Sequence, residues 1–351
     1  MNINKLHKLL NWEYWPSFMF YIPNVPYGIY LAIKSKSLTF FTATNPALNF
    51  AGNGTESKFD TIKLIPKKYR PTTLFIKKNK SINEVIKEIN NLKLQYPLII
   101  KPDIGFKGLL VKQIHAEIEL KEYIKKNNCI NLLIQEFVDY KNECGIFYHR
   151  LPTSKSGKIT SITLKTFPFV KGDGKLNLKQ LIENDKRAIN YLDLYSNLHH
   201  NYNTVLKKDE VKILNVLGNH CKGAEFKNGN YLISKDLELI FDDILKDIPK
   251  FYYGRLDIKY DTFEDLLNKE NFKIIEINGI ISEPTHIYDA SKTSYFKALR
   301  EIRKHWKIIY EISKSNHLNN QIQFNSPTDF LKSLWSLKKY MQLIKSKKLS
   351  V

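Results

Sequence analysis

The sequence predicts an α+β protein of two or three domains. Two short apolar runs, 96–101 and 109–114, flank a glycine-containing turn and predict an antiparallel hairpin. Other segments repeat apolar residues at helical spacing, most clearly 81–94. Hydrophobic residues make up 43% and charged residues 26% of the 351 residues. This balance allows a buried core and excludes a chain that is disordered throughout.

Lysine dominates the basic residues of a chain whose net charge is +20. Only six of the 55 basic residues are arginine. Because a protein that reads bases would use more arginine forks, we expect no specific nucleic-acid partner. The charge instead favours acidic substrates such as nucleotides, or an anionic surface. Three irregularly spaced cysteines predict neither a disulfide framework nor a cysteine-rich zinc site, and they favour a cytoplasmic location.

The first part of the chain, residues 1–71, is short and rich in aromatic residues. Its opening residues are polar and their apolar run is too short for a signal peptide. Residues 14–33 carry no charge and are about as long as a membrane span. Five potential helix breakers interrupt them: Pro16, Pro23, Asn24, Pro26 and Gly28. We therefore expect aromatic-rich loops packed on a core.

The elements of the middle region follow from local patterns. Residues 81–94 predict a helix that begins with a capping box of Ser81 and Glu84. Strands are predicted at 96–101, 109–114 and 132–138, with a helix near 116–126.

Local patterns also predict the helices and strands of the second half of the chain. Strands are predicted at 145–150 and 159–170, a helix at 177–190, and a section rich in strands at 252–281. Beyond residue 291 the pattern becomes helical and basic.

Two predicted strands near residues 255 and 276 carry polar side chains at alternate positions. Arg255 and Asp257 share one strand face, and so do Glu276 and Asn278. Two carboxylates and an amide oxygen form a hard oxygen site suited to Mg²⁺. Arg255 adds the positive charge that a transferring phosphoryl group requires. The alternative is a structural ion pair between neighbouring strands.

The hairpin after residue 97 combines a lysine with a glycine turn. Lys101 ends the first strand, and Gly105 and Gly108 lie in the turn. Backbone N–H groups of such a turn can fold over phosphates while the lysine contacts a phosphate oxygen. An ordinary surface hairpin is the alternative for this motif alone.

The order of these motifs along the chain resembles the ATP-grasp superfamily, especially D-alanine–D-alanine ligase and the branch of ribosomal-protein glutamate ligase and cyanophycin synthetase. The likeness covers roughly residues 72–290. It implies an ATP-grasp fold, with two antiparallel-sheet subdomains that enclose ATP. The implied division is a short N-terminal region at 1–71, an ATP-grasp domain at 72–300 with lobes at 72–140 and 141–300, and a helical basic tail at 301–351.

The resemblance also implies roles for individual residues. The phosphates would be held by a lysine and the glycine turn: Lys101, Gly105, Lys107 and Gly108. A further lysine before the domain would be either Lys58 or Lys63. The main chain at Glu136 and Val138 would contact adenine.

The remaining implied contacts lie in the second lobe. Glu143 would bind the ribose hydroxyls and Lys165 would contact the nucleotide. The metal ligands would be Asp257, Glu276 and Asn278, which would hold Mg²⁺, with Mn²⁺ as the alternative. Arg255 would contact the transferring phosphoryl group.

The segment after the metal strand departs from D-alanine–D-alanine ligase. That family has a short Pro-Gly turn there, whereas this chain has a longer polar segment that contains Glu283 and His286. Together with His220 these residues are candidates for substrate binding, although an isolated histidine is more often structural. The departure argues against D-alanine as a substrate.

The leading hypothesis is a ligase that joins a small carboxylate to an amine through an acyl phosphate and releases ADP and phosphate. The alternatives are a small-molecule kinase and a basic nucleotide-binding protein without catalysis. A homo-oligomer is left open.

The tail predicts an amphipathic helix. Its apolar stripe recurs at spacings of four and three residues: Phe330, Leu334, Leu337, Met341 and Ile344. Residues 301–351 hold ten Lys/Arg and three Asp/Glu, a net charge of +7. We expect the helix to dock on the protein's own surface, with peripheral contact to an anionic membrane as the alternative.

Overall fold

The computed structural model describes residues 11–105, 108–195, 198, 201–216 and 218–349, with side chains as far as residue 346. Near the N-terminus, helices α1 (Phe18–Tyr21) and α2 (Val25–Lys34) are joined by the 3₁₀ turn Ile22–Asn24. The predicted loops over 14–33 are therefore wrong. Pro23 and Pro26 lie in the first turn of their helices, where proline removes no helical hydrogen bond.

Helix α3 (Lys58–Lys63) ends the N-terminal region. Ser57 caps it, since its hydroxyl accepts from the backbone N–H of Asp60 at 3.2 Å. Short 3₁₀ turns at Phe40–Ala43 and Asn49–Ala51 precede α3.

The first antiparallel sheet has the order β1-β4-β2-β3. Its strands are β1 (Thr73–Ile76), β2 (Leu98–Pro102), β3 (Lys112–Ile114) and β4 (Leu132–Glu136). Helices α4 (Ile82–Asn91) and α5 (Glu117–Asn127) share a hydrophobic core with this sheet. The α4 helix is as predicted, but its capping box is not formed, because Ser81 makes no side-chain cap hydrogen bond.

The second antiparallel sheet has the order β11-β10-β5-β6-β9. Its strands are β5 (Asn142–His149), β6 (Lys158–Thr166), β9 (Glu225–Asn228), β10 (Tyr253–Tyr260) and β11 (Phe272–Asn278). One face packs on α7 (Lys235–Leu245) and α8 (Phe263–Leu267) around a core that includes Phe241 and Leu256. The polar face carries the predicted site residues.

A small unit between β6 and β9 has its own core, to which Val170 and Ile182 belong. It contains the antiparallel pair β7 (Phe169–Lys171) and β8 (Val211–Ile213), and helix α6 (Leu178–Asn184). The predicted strand at 159–170 is therefore divided in two, with Phe167 and Pro168 between β6 and β7. The predicted helix at 177–190 ends at Asn184, and a 3₁₀ stretch follows at Ala188–Leu194.

The C-terminal region consists of α9 (Tyr295–Asn319) and α10 (Pro327–Leu349). Helix α10 docks on the protein's own surface, as expected. The Phe330 ring lies 5.1 Å from that of Phe41, and Ile344 is fully buried in the core of the first sheet. The stripe is not wholly covered, since Leu334 remains 38% exposed. Within the described part of the chain, no helix has the length and apolar character needed to cross a membrane.

Candidate active site

The register of β10 and β11 brings the two polar pairs together. Asp257 lies opposite Glu276, and Arg255 lies opposite Asn278. Arg255 donates to both Asp257 oxygens, from Nε at 3.1 Å and from Nη2 at 3.2 Å. Asn278 Nδ2 donates to Asp257 Oδ2 at 3.2 Å. The predicted convergence of these four side chains is therefore observed.

Strands β5 and β6 add a buried lysine to this cluster. Lys165 Nζ lies 2.7 Å from Glu143 Oε1 and 3.0 Å from Asp257 Oδ1, and all three side chains are less than a tenth exposed. Burial opposes ionisation of Asp257, but Arg255 and Lys165 outweigh it and hold the pKa of this carboxyl well below its usual range. Burial likewise disfavours the charge of Lys165, but Asp257 and Glu143 raise its pKa. Asp257, Lys165 and Arg255 are therefore charged at neutral pH.

Helix α3 supplies the lysine that the sequence left undecided. Lys58 forms an ion pair with Glu276, whereas Lys63 is exposed and lies 4.7 Å from the Phe59 ring. The start of α3 is tied to the end of β2, because Asp103 accepts from Ser57 Oγ at 2.8 Å and from the Phe59 N–H at 3.0 Å. This tether places Lys58, and not Lys63, in the cluster.

Lys101 is buried near the same carboxylates and has a neutral partner. Its Nζ donates to Gln135 Oε1 at 3.0 Å. Burial lowers the pKa of Lys101 to about 8; Glu276 opposes this shift and the charge of Lys58 adds to it. An anion that bound in the cleft would raise the pKa of Lys101 again. The lysine would then be fully charged, and this charge would favour binding of the anion.

The glycine turn after β2 lies beside the cluster. Gly105 lines a small cavity of about 20 Å³ together with Glu56, Lys58 and Asn278. Gly108 has a φ of +67°, a conformation that favours glycine. Lys107 lies outside the described residues.

Glu136 and Val138, whose main chain is expected to contact adenine, lie where the chain passes from the first sheet to the second. The Glu136 carboxylate accepts from the Thr72 N–H at 3.0 Å, the Glu136 N–H donates to the Thr72 carbonyl at 2.9 Å, and Val138 is buried. Nearby, Lys259 Nζ lies 5.5 Å from the rings of both Phe137 and Phe167. Lys259 was not predicted, although it follows Asp257 by two residues and therefore shares its strand face.

Glu283 lies near Arg255 and accepts hydrogen bonds from two tyrosine hydroxyls. Tyr288 donates to Oε2 at 2.5 Å, and Tyr21 donates to Oε1. Glu283 lies close enough to Arg255 to help raise the pKa of the Arg255 guanidinium. Tyr21 comes from α1 and was missed, because no local pattern connects residues 262 positions apart.

His220 lies in the same region as Glu283. Its Nε2 lies 2.8 Å from Glu13 Oε1, which also accepts from Arg187 Nη1 at 2.7 Å. The His220 ring lies 5.3 Å from that of Tyr288. Glu13 and Arg187 were not singled out from the sequence, and neither carries a recognisable motif.

His286 has a different environment. It is 3% exposed, and its Nδ1 lies 2.7 Å from Ser161 Oγ. Burial lowers the pKa of His286 to about 4, so the ring is neutral at pH 7. This placement favours the structural role that sequence analysis gave as the alternative.

The residues on β10 and β11 fit a magnesium ion that is shared with a phosphate ligand. Within the described residues, no three His, Cys, Asp or Glu side chains come together to hold a metal. Asp257, Glu276 and Asn278 offer two carboxylates and an amide oxygen, and Mg²⁺ is commonly bound by one or two carboxylates together with substrate phosphates. The donor set therefore suits a metal–nucleotide complex better than a free metal ion.

Residues 55–148 match the family model of the RimK-like ATP-grasp domain. The matched segment begins just before Lys58, contains Lys101 and Glu143, and ends in β5. The match confirms the resemblance to the ATP-grasp superfamily that the motifs predicted, and it confirms the ATP-grasp fold. Comparison with curated proteins gave no match.

Solved structures with a similar fold include VanG D-Ala:D-Ser ligase from Enterococcus faecalis, at 13% identity and a TM-score of 0.44. That alignment covers 76% of this chain and 64% of the VanG chain. D-alanine–D-alanine ligase from Bacillus anthracis complexed with ATP aligns at 14% identity, with 75% and 70% of the two chains covered and a TM-score of 0.42. A bifunctional glutathione synthetase from Pasteurella multocida aligns at 14% identity over 71% of this chain and 35% of its own, with a TM-score of 0.37.

Proposed function

We propose that this protein is an ATP-dependent carboxylate–amine ligase. The observation that carries the proposal is the charged cluster on the polar face of the second sheet. Four cationic side chains surround the two carboxylates and the amide that face each other on β10 and β11: Lys58, Lys101, Lys165 and Arg255. In the absence of a ligand these cations neutralise the carboxylates, and with a nucleotide they would face its phosphates.

The nucleotide would lie between the two sheets. Lys101, Lys58 and the turn at Gly105 and Gly108 would contact phosphate oxygens. The main chain near Glu136 and Val138 would contact the adenine, and Glu143 the ribose. Gly218 lies against Glu143, because a Cβ at this glycine would be 2.3 Å from Glu143 Oε1.

Asp257, Glu276 and Asn278 would hold Mg²⁺, or Mn²⁺ in its place. The ion would neutralise phosphate charge during the transfer. Arg255, bonded to Asp257, would stabilise the phosphoryl group as it moves.

The reaction would proceed in two steps. A substrate carboxylate oxygen attacks the γ-phosphorus, the bond to the β-phosphate oxygen breaks, and ADP leaves. The amine nitrogen of the second substrate then attacks the acyl carbon and loses a proton, and phosphate leaves as the amide forms. The charged cluster stabilises negative charge in both steps.

The substrates would be small molecules that bind on the side of Glu283. Glu283 provides a carboxylate near Arg255, and the pair of Glu13 with His220 adds anionic and hydrogen-bonding groups beside Tyr288. Such groups suit a substrate that carries an ammonium group. Because Glu13 and Tyr21 come from the N-terminal region, that region would help to select the substrate.

An ADP-release assay over pairs of amino acids and other small carboxylates and amines tests the proposal. A ligase releases ADP quickly only when both an acid and an amine are present, and mass spectrometry then finds an amide. Formation of a stable phosphorylated product from one substrate would instead identify a kinase. Nucleotide binding without ADP release in any pair would argue against catalysis.

Lys58→Ala and Lys63→Ala form a matched pair for the same assay. Both remove a lysine from α3, but only Lys58 reaches the cluster. We expect Lys58→Ala to weaken ATP binding at least about tenfold and Lys63→Ala to leave it unchanged. Equal effects of the two substitutions would contradict the assignment of Lys58.

A further inference from the structure

The helical run from α1 through Ile22–Asn24 to α2 has two apolar faces. The inner face packs on α9: Phe20, Asn24 and Leu31 are buried, and Asn24 Nδ2 donates to the Leu299 carbonyl at 3.1 Å. The contact is close, since a Cβ at Gly28 would lie 2.9 Å from the Trp306 ring.

The outer face is also apolar, and it is exposed. Five residues at spacings of four, three, four and four form one stripe: Phe18 (53% exposed), Ile22 (61%), Val25 (44%), Ile29 (56%) and Ile33 (73%). Tyr30 and Leu38 extend it at the C-terminal end. We refer to these seven residues as the outer stripe.

A surface helix normally presents a polar face to water, and an exposed apolar patch marks an interaction site. The seven side chains of the outer stripe are between 44% and 75% exposed within the described part of the chain. The stripe therefore lacks the partner that its composition requires.

The charge around the outer stripe indicates what kind of partner it fits. No Asp or Glu occurs between Glu13 and Glu56. Lys34 and Lys36 are exposed at the end of α2, and Arg300 and Arg303 are exposed on the adjacent face of α9. Arg303 Nε donates to Asn24 Oδ1 at 3.2 Å, so its charge is held beside the run. Within the described part of the chain, none of these four basic groups forms an ion pair.

We propose that the outer stripe docks on the surface of an anionic lipid bilayer. Apolar side chains would enter the boundary between headgroups and acyl chains, and the basic rim would contact anionic headgroups. Tyr27 and Tyr30 have the amphipathic rings that are typical of membrane–water interfaces. The run would lie in the plane of the bilayer. Its inner face carries Tyr21, so Glu283, which accepts from Tyr21, would be about one helix diameter, roughly 10 Å, from the lipid surface.

Co-sedimentation of the full chain with vesicles tests this proposal. Vesicles of phosphatidylcholine alone are compared with vesicles that also contain phosphatidylglycerol. We expect binding to the anionic vesicles, weaker binding at high salt, and little binding to phosphatidylcholine alone. The double variant Ile29→Asp with Ile33→Asp should lower the partition coefficient at least about tenfold.

Matched variants separate the outer stripe from other exposed apolar groups. Ile118→Asp alters a residue of α5 that is 65% exposed, and Leu331→Asp with Trp335→Asp alters α10, where the two residues are 63% and 60% exposed. Both should bind like the unmodified chain. Lys34→Glu with Lys36→Glu should weaken binding about fivefold or more for each charge removed. Circular dichroism checks that each variant is folded.

Three outcomes would overturn the proposal. The first is no binding to anionic vesicles, or equal binding to neutral ones. The second is loss of binding in the α10 variant only, which would assign the contact to the tail. The third is a dimer, seen by sedimentation velocity, that Ile29→Asp with Ile33→Asp dissociates while no vesicle binding occurs; the stripe would then contact a second copy of this chain.

Discussion

Asp257 connects the metal and phosphate parts of the candidate site. It accepts hydrogen bonds from Arg255, Lys165 and Asn278, and it lies opposite Glu276. A ligand that attracts Arg255 or Lys165 would free oxygens of Asp257 for a metal ion. The same side chains can therefore stabilise the empty cleft and the loaded one.

Arg255→Ala should act mainly on turnover. Its charge would be most useful while the phosphoryl group is in transfer, and an interaction that strengthens in the transition state affects kcat more than KM. We expect kcat to fall on the order of 10²-fold or more, with ATP affinity little changed. The measurement is ADP release with ATP varied. A loss of ATP affinity with normal kcat would place Arg255 in ground-state binding only.

Glu276→Gln should change the magnesium requirement. The substitution keeps the shape of the side chain but removes a charged oxygen ligand. We expect the Mg²⁺ concentration for half-maximal ADP release to rise about tenfold or more. Titration of Mg²⁺ at fixed ATP measures it. An unchanged requirement would remove Glu276 from the set of ligands and would weaken the ligase proposal as a whole.

Lys101 should make ATP binding depend on pH. Its pKa in the empty cleft is about 8, and only the protonated form attracts phosphate. Because about nine-tenths of the lysine would be neutral at pH 9, ATP affinity should fall about tenfold between pH 7 and pH 9. Isothermal titration at several pH values measures this change. Lys101→Arg is the control, since arginine keeps its charge and should abolish the dependence.

At the level of helices and strands, the N-terminal loop and the end of β11 are joined backbone to backbone. The N–H groups of Ile280 and Ile281 donate to the carbonyls of Ala51 and Gly52 at 3.1 and 3.0 Å. Gly52 has a φ of +82°, and a Cβ there would lie 2.6 Å from Gly279 Cα. This junction holds α3, and with it Lys58, against the strand that carries Glu276.

Gly52→Ala should therefore destabilise the protein by more than its backbone conformation alone requires. Gly174→Ala is a matched control, because Gly174 has a similar φ of +78° but a Cβ there would meet nothing closer than 3.6 Å. We expect the free energy of unfolding, measured with urea, to fall by about 1–2 kcal/mol for Gly174→Ala and by clearly more for Gly52→Ala. Equal losses of free energy of unfolding in the two variants would mean that the backbone at Gly279 can move away from residue 52 at little cost.

Several elements could be predicted from the sequence because their signals are local. The alternation on β10 and β11 predicted which side chains share a face, and the helical spacing predicted α4 and α10. The run at 14–33 was interpreted as loops, because prolines were taken as breakers without regard to their positions in the first turns of short helices. The break between β6 and β7 and the unit that follows it depend on tertiary packing around Val170 and Ile182.

Over the whole chain, the site depends on contacts between distant segments that no local pattern encodes. The bond of Tyr21 to Glu283 spans 262 residues, and the pair of His220 with Glu13 spans 207. The order of the motifs predicted a set of residues that lie on strands of the two sheets, and their contacts with a nucleotide stay a prediction. The surroundings of Glu283 and His220 come from the N-terminal region and from the unit between β6 and β9, which is why Glu13, Tyr21 and Arg187 could not be predicted.

The packing of α9 against the second sheet should make the protein sensitive to acid. His286 and His305 are buried there, and the hydrogen-bond partners of their Nδ1 atoms are Ser161 and the Tyr253 hydroxyl. Burial lowers the pKa of His286 to about 4 and that of His305 well below its usual range. Both rings are therefore neutral in the folded protein at pH 5, whereas in the unfolded chain, where a histidine titrates near 6.5, they are protonated.

Since the unfolded state binds more protons in this range, the free energy of unfolding should fall as the pH drops from 6.5 towards 4. His286 alone should remove about 2 kcal/mol between pH 7 and pH 5. His286→Asn should reduce this pH dependence by that amount, whatever its effect on stability at pH 7, and the exposed His115→Asn should not. Urea unfolding at pH 7, 6 and 5 gives the three slopes. Parallel slopes for the unmodified protein and His286→Asn would show that His286 does not stay neutral in the fold, and would return it to the candidates for substrate binding.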